Sequence, residues 1–277
     1  MEVGRLKALL ELARYGTMAA AAEALHLTPS AVSLTPAGHA LVTHAERVMV
    51  VLDEARSELA ELRREIVGEL RIAAFPSIAS LVLPDAVKRL RLAYPRLEIG
   101  LEELEPIDAV AALRAWRTDI ALIDDLSIET GKDRENIELV PLAEDVLYVA
   151  VATDHPLSKR RSLGVADLRD ETWAMESTWS TFGGFVIELC RRAGFEPRIN
   201  AKCRGSEMVE AMVASGCSVS VAPGLRVKRA PAGVAWIKLK PEVRRKIYVA
   251  YRRGERNHPT IKVFVEEIVR AVSSIPS

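Results

Sequence analysis

The chain has 277 residues, 49% of them hydrophobic and 27% charged, with 38 basic residues balancing 38 acidic ones. That length suits two or three small domains with sizeable cores, and zero net charge excludes a global positive field that would gather nucleic acid unspecifically. With no signal peptide and no run of about 18 apolar residues, secretion and membrane spanning are disfavoured and a cytoplasmic protein is expected.

The N-terminal segment carries the densest local signals. Leu6, Leu9, Leu10, Leu12 and Ala13 recur at helical spacing, and Gly16 stands where a left-handed cap would stop that helix. Thr17 can cap a second helix whose small face, Ala19 to Ala22 with Ala24, admits close packing before Leu25 closes it. After His26-Leu27, Thr28 is placed as an N-cap with Pro29 at the first helical position, so a third helix is predicted there. Its first turn offers Ser30 and Ser33, short hydroxyls that reach base edges or phosphates from a helix N-terminus. From these residues alone, an ordinary three-helix packing unit with capped ends fits equally.

The stretch Leu6 to Ser33, with its Ala-Ala-x-x-Leu-x-Leu-Thr-x-Ser-Ala-Val-Ser core, closely resembles the N-terminal winged helix-turn-helix of LysR-type transcriptional regulators. Leu34-Thr35-Pro36-Ala37-Gly38 is similar to the segment that opens that family's linker helix, and the resemblance then extends along the whole chain. It implies promoter DNA as a partner, contacted by Thr28, Pro29, Ser30, Ala31 and Ser33. Between the two segments the chain departs from the family. A further part of the recognition helix, another helix and a basic wing, roughly two dozen residues, are missing after Ser33. Either the chain lacks most of its recognition helix and wing, or the native protein contains a segment that this sequence skips. In the first case Pro36 interrupts the third helix after about one turn, too short to fill a major groove, and a dimeric effector-binding module without DNA-binding activity is the alternative reading.

Thr35 and Pro36 start a long helix in which Leu41, Ala45, Val48, Leu52, Ala55, Leu59, Leu62 and Ile66 step alternately by four and three. That is a heptad seam, flanked by Arg56, Glu58, Arg63 and Glu65, and it predicts a helix pair and hence a dimer through Leu41, Val48, Leu52, Leu59 and Leu62. A single amphipathic helix lying on a domain surface is the plainer reading of the same spacing. The flanking charges favour parallel helices, whereas the resemblance implies antiparallel linkers and a homodimer or homotetramer. Gly68 is expected to end the helix.

Beyond Gly68 the pattern alternates strands and helices: strand Leu70 to Phe75, helix Ala79 to Tyr94, strand Leu97 to Leu104, helix Ile107 to Trp116 and strand Asp119 to Ile123. This order predicts a parallel sheet with helices on its faces. A second set follows, with strand material from Ile137 to Ala152, a strand at Trp173 to Met175, helix Phe182 to Ala193, strand Arg198 to Cys203, helix Ser206 to Ala214 and strand Ser218 to Val221. Lys246 to Tyr251 returns as a strand to the first sheet, and Thr260 to Val272 closes as a helix.

The expected fold is therefore α/β, with two lobes joined by two crossing strands and a cleft between them. The resemblance adds an N-terminal, partial winged helix-turn-helix, a long dimerisation linker helix, and an effector domain of type 2 periplasmic-binding-protein-like architecture. The implied boundaries are 1–34 for the DNA-binding domain, 35–67 for the linker, 69–145 with 246–277 for lobe I, and 146–245 for lobe II.

Ligands of open α/β sheets sit at the carboxyl ends of strands, where helix N-termini converge. The first strand ends at Phe75-Pro76-Ser77, the second near Glu105 and the third at Asp124-Asp125, while Thr178, Trp179 and Ser206 stand at the corresponding ends in the second lobe. Pro76, Ser77, Glu105, Asp124, Thr178, Trp179 and Ser206 are thus the candidate effector residues; in the resembling family the Ser77 position contacts the effector. Hydroxyls at helix N-termini in both lobes point to a small, anionic effector, with Trp179 closing over an apolar part. Capping alone explains the same hydroxyls.

No catalytic residue, metal ligand or cofactor motif emerges. His26, His39, His44, His155 and His258 are scattered, Cys190, Cys203 and Cys217 form no C-x-x-C pair, and no phosphate loop, dinucleotide fingerprint or nucleophile elbow is present. The expected protein is a regulator rather than an enzyme. A solute-binding protein would share the two lobes but carries neither a helix-turn-helix nor a coiled coil.

Overall fold

The computed structural model of the chain describes residues 36–63, 66–126, 136–176, 180–227 and 231–273. The expected helix-turn-helix, with Thr28, Pro29, Ser30, Ala31 and Ser33, lies outside the described residues, and so do Thr178 and Trp179.

The linker forms helix α1 (Pro36–Arg63), opened by a proline that needs no intrahelical partner for its nitrogen. Its seam residues Leu41, Val48, Leu59 and Leu62 are exposed, Leu62 to 78%. Ala45, read from the sequence as part of that seam, is instead buried, together with Met49, Asp53 and Ser57 at four-residue steps. These four form a second face that packs on the first lobe, so α1 presents one stripe to the protein and another to solvent. Gly68 does not cap α1. It opens strand β1 (Gly68–Ala74) in a left-handed conformation, φ +103°, that a side chain would strain.

The first lobe follows the expected alternation: β1, α2 (Pro76–Leu81), α3 (Leu83–Ala93), β2 (Leu97–Glu103), α4 (Pro106–Arg114) and β3 (Ile120–Asp124). The single helix predicted over 79–94 is two helices meeting at Val82, because Pro84 has no N–H to donate to the Ser80 carbonyl. Strands β2, β1 and β3 are parallel in that order. Leu70, Ile72, Ile78, Leu90, Ile120 and Leu122 pack with Ile247, Val249, Phe264 and Ile268 into the main core. Burying each such side chain contributes about 1.5–3 kcal/mol.

β4 (Ile137–Ala152) spans both lobes. Its first part runs antiparallel to β10 (Arg244–Arg252), while residues 147–152 pair with β8 (Ser220–Pro223) and β9 (Val234–Leu239). Leu147 N–H donates to the Val243 carbonyl at 2.9 Å, where the returning chain re-enters the first sheet. Two strands therefore cross between the lobes. The second lobe adds β5 (Ser162–Leu163), β6 (Thr172–Glu176), α5 (Thr181–Arg192), β7 (Arg198–Cys203), α6 (Ser206–Ala214) and a short helix, α7 (Gly224–Val227). Its core gathers Leu147, Val149, Trp173, Met175, Val186, Cys190 and Ile237. Helix α8 (Pro259–Ser273) closes the first lobe, its apolar stripe against α3. The sequence pattern does not predict β5, β9 or α7.

Candidate functional site

Strand β1 ends at Phe75, and the chain enters α2 with Pro76 at its first position. Ser77 is thereby set at the strand's carboxyl end, buried, at the start of a helix. Glu105 precedes α4 in the same way, and Asp124 ends β3. From the second lobe, Thr181 opens α5 and Ser206 opens α6. These termini converge on one cleft open to solvent, to which Phe75, Glu176, Phe182, Pro223, Arg226 and Arg245 also contribute. Pro76, Ser77, Glu105, Asp124 and Ser206 are thus brought together.

The centre of the cleft is a residue that sequence reading missed. Arg245, near the start of β10, is only 2% exposed. Its Nε and Nη2 donate to Asp145 Oδ2 at 3.0 and 2.8 Å, Nη1 to Asp124 at 3.3 Å, and Nη2 also to Ser77 Oγ at 2.7 Å. Phe75 and Phe182 cover the guanidinium, with ring centroids 4.9 and 5.7 Å away. Asp145 further accepts the Leu225 N–H at 2.9 Å, which ties α7 to the same knot. Gly224 allows that approach, since a Cβ there would lie 2.6 Å from the Val146 carbonyl oxygen. A signal for Arg245 existed. It lies in phase with the buried Ile247 and Val249, so the strand pattern, extended by two residues, places it inward.

A contact crosses from lobe to lobe. Glu105 Oε2 accepts the Thr181 N–H at 3.4 Å, joining α4 of one lobe to the N-terminus of α5 in the other. Ser180 Oγ caps the same helix by accepting the Gly183 N–H at 2.9 Å. Burial pushes the Glu105 carboxyl up, against the Thr181 hydrogen bond, and nearby Asp124 adds to the rise. Burial likewise pushes Glu176 up to about 7, helped by Glu105 and opposed by Arg245 and Arg226. Arg226 is held by Glu210, with Nη2 at 2.8 Å. The hydroxyls that suggested an anionic effector are present at Ser77 and Ser206. However, Ser77 is engaged by Arg245, and carboxylates outnumber guanidinium groups in the lining.

A second polar knot joins the first lobe to α1. Trp116 Nε1 donates to Asp53 Oδ2 at 3.0 Å, Arg252 Nε lies 3.3 Å from the same oxygen, and Ser57 Oγ reaches the Gly254 carbonyl at 3.1 Å. Arg252 also bonds Asp119 at 3.2 Å and Glu255 at 2.7 Å. Arg245 and Arg252 stand at opposite ends of β10. No group of histidine, cysteine or carboxylate side chains among the described residues could hold a metal ion.

Comparison with known proteins agrees with this architecture. The pattern of the LysR substrate binding domain matches residues 63–273, and that of the bacterial regulatory helix-turn-helix protein, lysR family, matches residues 3–35. The chain is 27% identical over 233 residues to the hydrogen peroxide-inducible genes activator of Dickeya chrysanthemi, covering 83% of this chain and 75% of that protein. It is 26% identical over 198 residues to the HTH-type transcriptional regulator CysL of Bacillus subtilis, covering 71% of this chain and 64% of the relative. Among solved structures, a full-length OxyR variant from Pseudomonas aeruginosa superposes with a TM-score of 0.69 at 22% identity, over 97% of this chain and 94% of that one. Full-length CbnR bound to its target DNA gives 0.61 at 24% identity, over 99% and 100%. With a substrate-binding domain over most of its length and a regulatory helix-turn-helix before it, the chain belongs to the LysR family of transcriptional regulators.

Proposed function

We propose that a small molecule bound in the cleft around Ser77 and Arg245 controls promoter binding by this regulator. The observation that carries this reading is the Glu105–Thr181 contact, a long 3.4 Å bond across the cleft. A ligand seated there replaces it with its own contacts to both lobes, and so shifts their relative populations. β4 and the returning chain near Val243 serve as the hinge, dividing lobe I (69–145 and 246–277) from lobe II (146–245). Closure then changes the spacing of paired reading heads through α1, with Thr28, Pro29, Ser30, Ala31 and Ser33 facing DNA, and Leu41, Val48, Leu52, Leu59 and Leu62 facing a second copy.

Among the described residues no helix is long and apolar enough to cross a membrane. Together with the family, this supports a cytoplasmic, non-catalytic regulator. Activation of hydrogen peroxide-inducible genes is the role of the relatives so named. Here burial pushes the Cys190 thiol up to about 12 and raises Cys203 as well, which keeps both protonated and poorly nucleophilic.

The test is Ser77→Trp. A compound from a metabolite panel that raises the melting temperature of the native protein should leave this variant unmoved, while light scattering shows the same oligomer; full retention of the ligand response contradicts the assignment. The segment after Ser33 is tested by intact mass. A value near 30.4 kDa favours the dimeric effector module without specific DNA binding, and a mass greater by roughly two dozen residues restores the complete reading head.

A further inference from the structure

We propose that the ligand recognised by this cleft carries a cationic amine, held by the carboxylates of Glu105 and Glu176. The proposal rests on the reading of the cleft as the effector site and sets the ligand charge opposite to the one the hydroxyls alone suggest.

The charge inventory supports it. Among the described residues, three carboxylates and two guanidinium groups line the cleft, and both guanidinium groups are already committed. Arg245 spends its donors on Asp145, Asp124 and Ser77, which leaves about one of a guanidinium's five N–H groups unused. Arg226 is engaged by Glu210 through both Nε and Nη2. Asp145 and Asp124 both pair with Arg245, and Glu210 pairs with Arg226, so among the described lining residues Glu105 and Glu176 are the carboxylates in no ion pair with another described residue.

Glu176 is the sharpest of these. It stands at the end of β6, where its backbone pairs with β7, lines this cleft and the adjoining space behind Phe182, and its carboxylate makes no hydrogen bond to a described residue. Among the described residues, the Glu105 carboxylate accepts one long bond, from Thr181. A carboxylate buried without a partner is costly, and an ammonium group with three donors relieves that cost for more than one oxygen at once. An anion here would find the N-terminus of α6, whose Gly205 cap offers no side chain, but would sit beside the like charges of Glu105 and Glu176. The upward displacement of both glutamates has the same origin: partial burial of the carboxyl first, then repulsion from neighbouring carboxylates.

The experiment is a thermal-shift and calorimetric titration of the full chain with 1,4-diaminobutane, lysine and arginine, against succinate and phosphate, at matched ionic strength. At least one amine at millimolar concentration is expected to raise the melting temperature by several degrees, and the diamine and amino-acid arms separate a bare amine from one that also carries a carboxylate. In Glu105→Gln/Glu176→Gln, a pair of near-isosteric changes, the amine affinity should fall at least about tenfold. No shift with any of the three amines overturns the proposal. So does a shift confined to succinate or phosphate; if Ser77→Trp abolishes that shift, the cleft remains the effector site and only the charge class fails. An amine response that survives both Ser77→Trp and the glutamine pair places binding elsewhere and overturns both readings.

Discussion

At the scale of single residues, Arg245 holds the site together. Removing one member of a buried ion pair leaves the other uncompensated, at a cost of about 3–5 kcal/mol. Arg245→Met should therefore lower the denaturation midpoint strongly, because Asp145 and Asp124 would then face each other across a guanidinium-sized gap. Asp145→Asn in the same background should restore part of the loss; an unchanged midpoint in Arg245→Met would show that the knot adds nothing to stability. Glu176 gives the opposite sign. Its carboxyl is pushed from an ordinary 4.5 to about 7 in the folded chain, by burial first, then by Glu105 and Glu103, against Arg245 and Arg226. The folded state then holds the proton more tightly than the unfolded state, so this group's contribution to stability falls as pH rises from about 4.5 through about 7 and stays low above it. Glu176→Gln should gain on the native protein between pH 5 and pH 8 by up to ~2 kcal/mol, allowing for its partial contact with solvent. Equal differences at the two pH values in denaturant titrations would mean that Glu176 is ionised throughout. Ser77, Glu105, Asp124 and Ser206 were legible because strand ends and helix starts can be read from pattern. Glu176 and Arg245 were not, because a charged residue in a strand reads as solvent-facing until its cross-strand neighbours are known.

At the scale of elements, the docking of α1 depends on a close backbone approach. A Cβ on Gly254 would lie 2.6 Å from the Val50 carbonyl oxygen and 3.0 Å from Asp53 Cβ. Gly254→Ala should push α1 away from Trp116, which the turn after α4 holds at φ +56° with its ring over Arg252. The expected result is altered Trp116 fluorescence and faster proteolysis near the C-terminal end of α1, with a stability loss of about 1–3 kcal/mol. Unchanged emission and cleavage would show that this contact does not hold the helix. β10 joins the dock to the cleft. Arg252 and Arg245 are seven residues apart on it, roughly 23 Å at strand rise, so displacement at one end acts on the other through a single stiff element. The sequence shows α1 as a helix with one apolar stripe. Its docking face is hidden because Asp53 and Ser57 are polar, and only the partners Arg252, Trp116 and Gly254 explain their burial.

At the scale of the whole molecule, the lobes share β4 and the returning chain near Val243, while α1 leaves Leu41, Val48, Leu59 and Leu62 toward solvent. In the proposed function a second copy of the chain covers this apolar row, whose spacing suits a helix pair. Leu59→Glu puts a charge in the row and should convert the oligomer to monomer in light scattering, leaving the effector lobes folded. A variant of unchanged mass would move the interface off this stripe.

The sequence by itself determined the order of strands and helices, the parallel β1–β2–β3 sheet, the two lobes and the linker, since these follow from periodicity, capping and proline placement. Local pattern also located the strand ends where Ser77, Glu105 and Asp124 meet. Tertiary structure alone decided which charges share the cleft, because Arg245 reaches Asp145 across 100 positions and Ser77 across 168. It likewise split the predicted helix at Val82 and gave α1 its second face. Those outcomes depend on burial and pairing between distant segments, where desolvation sets the balance of charge, and no local spacing records it.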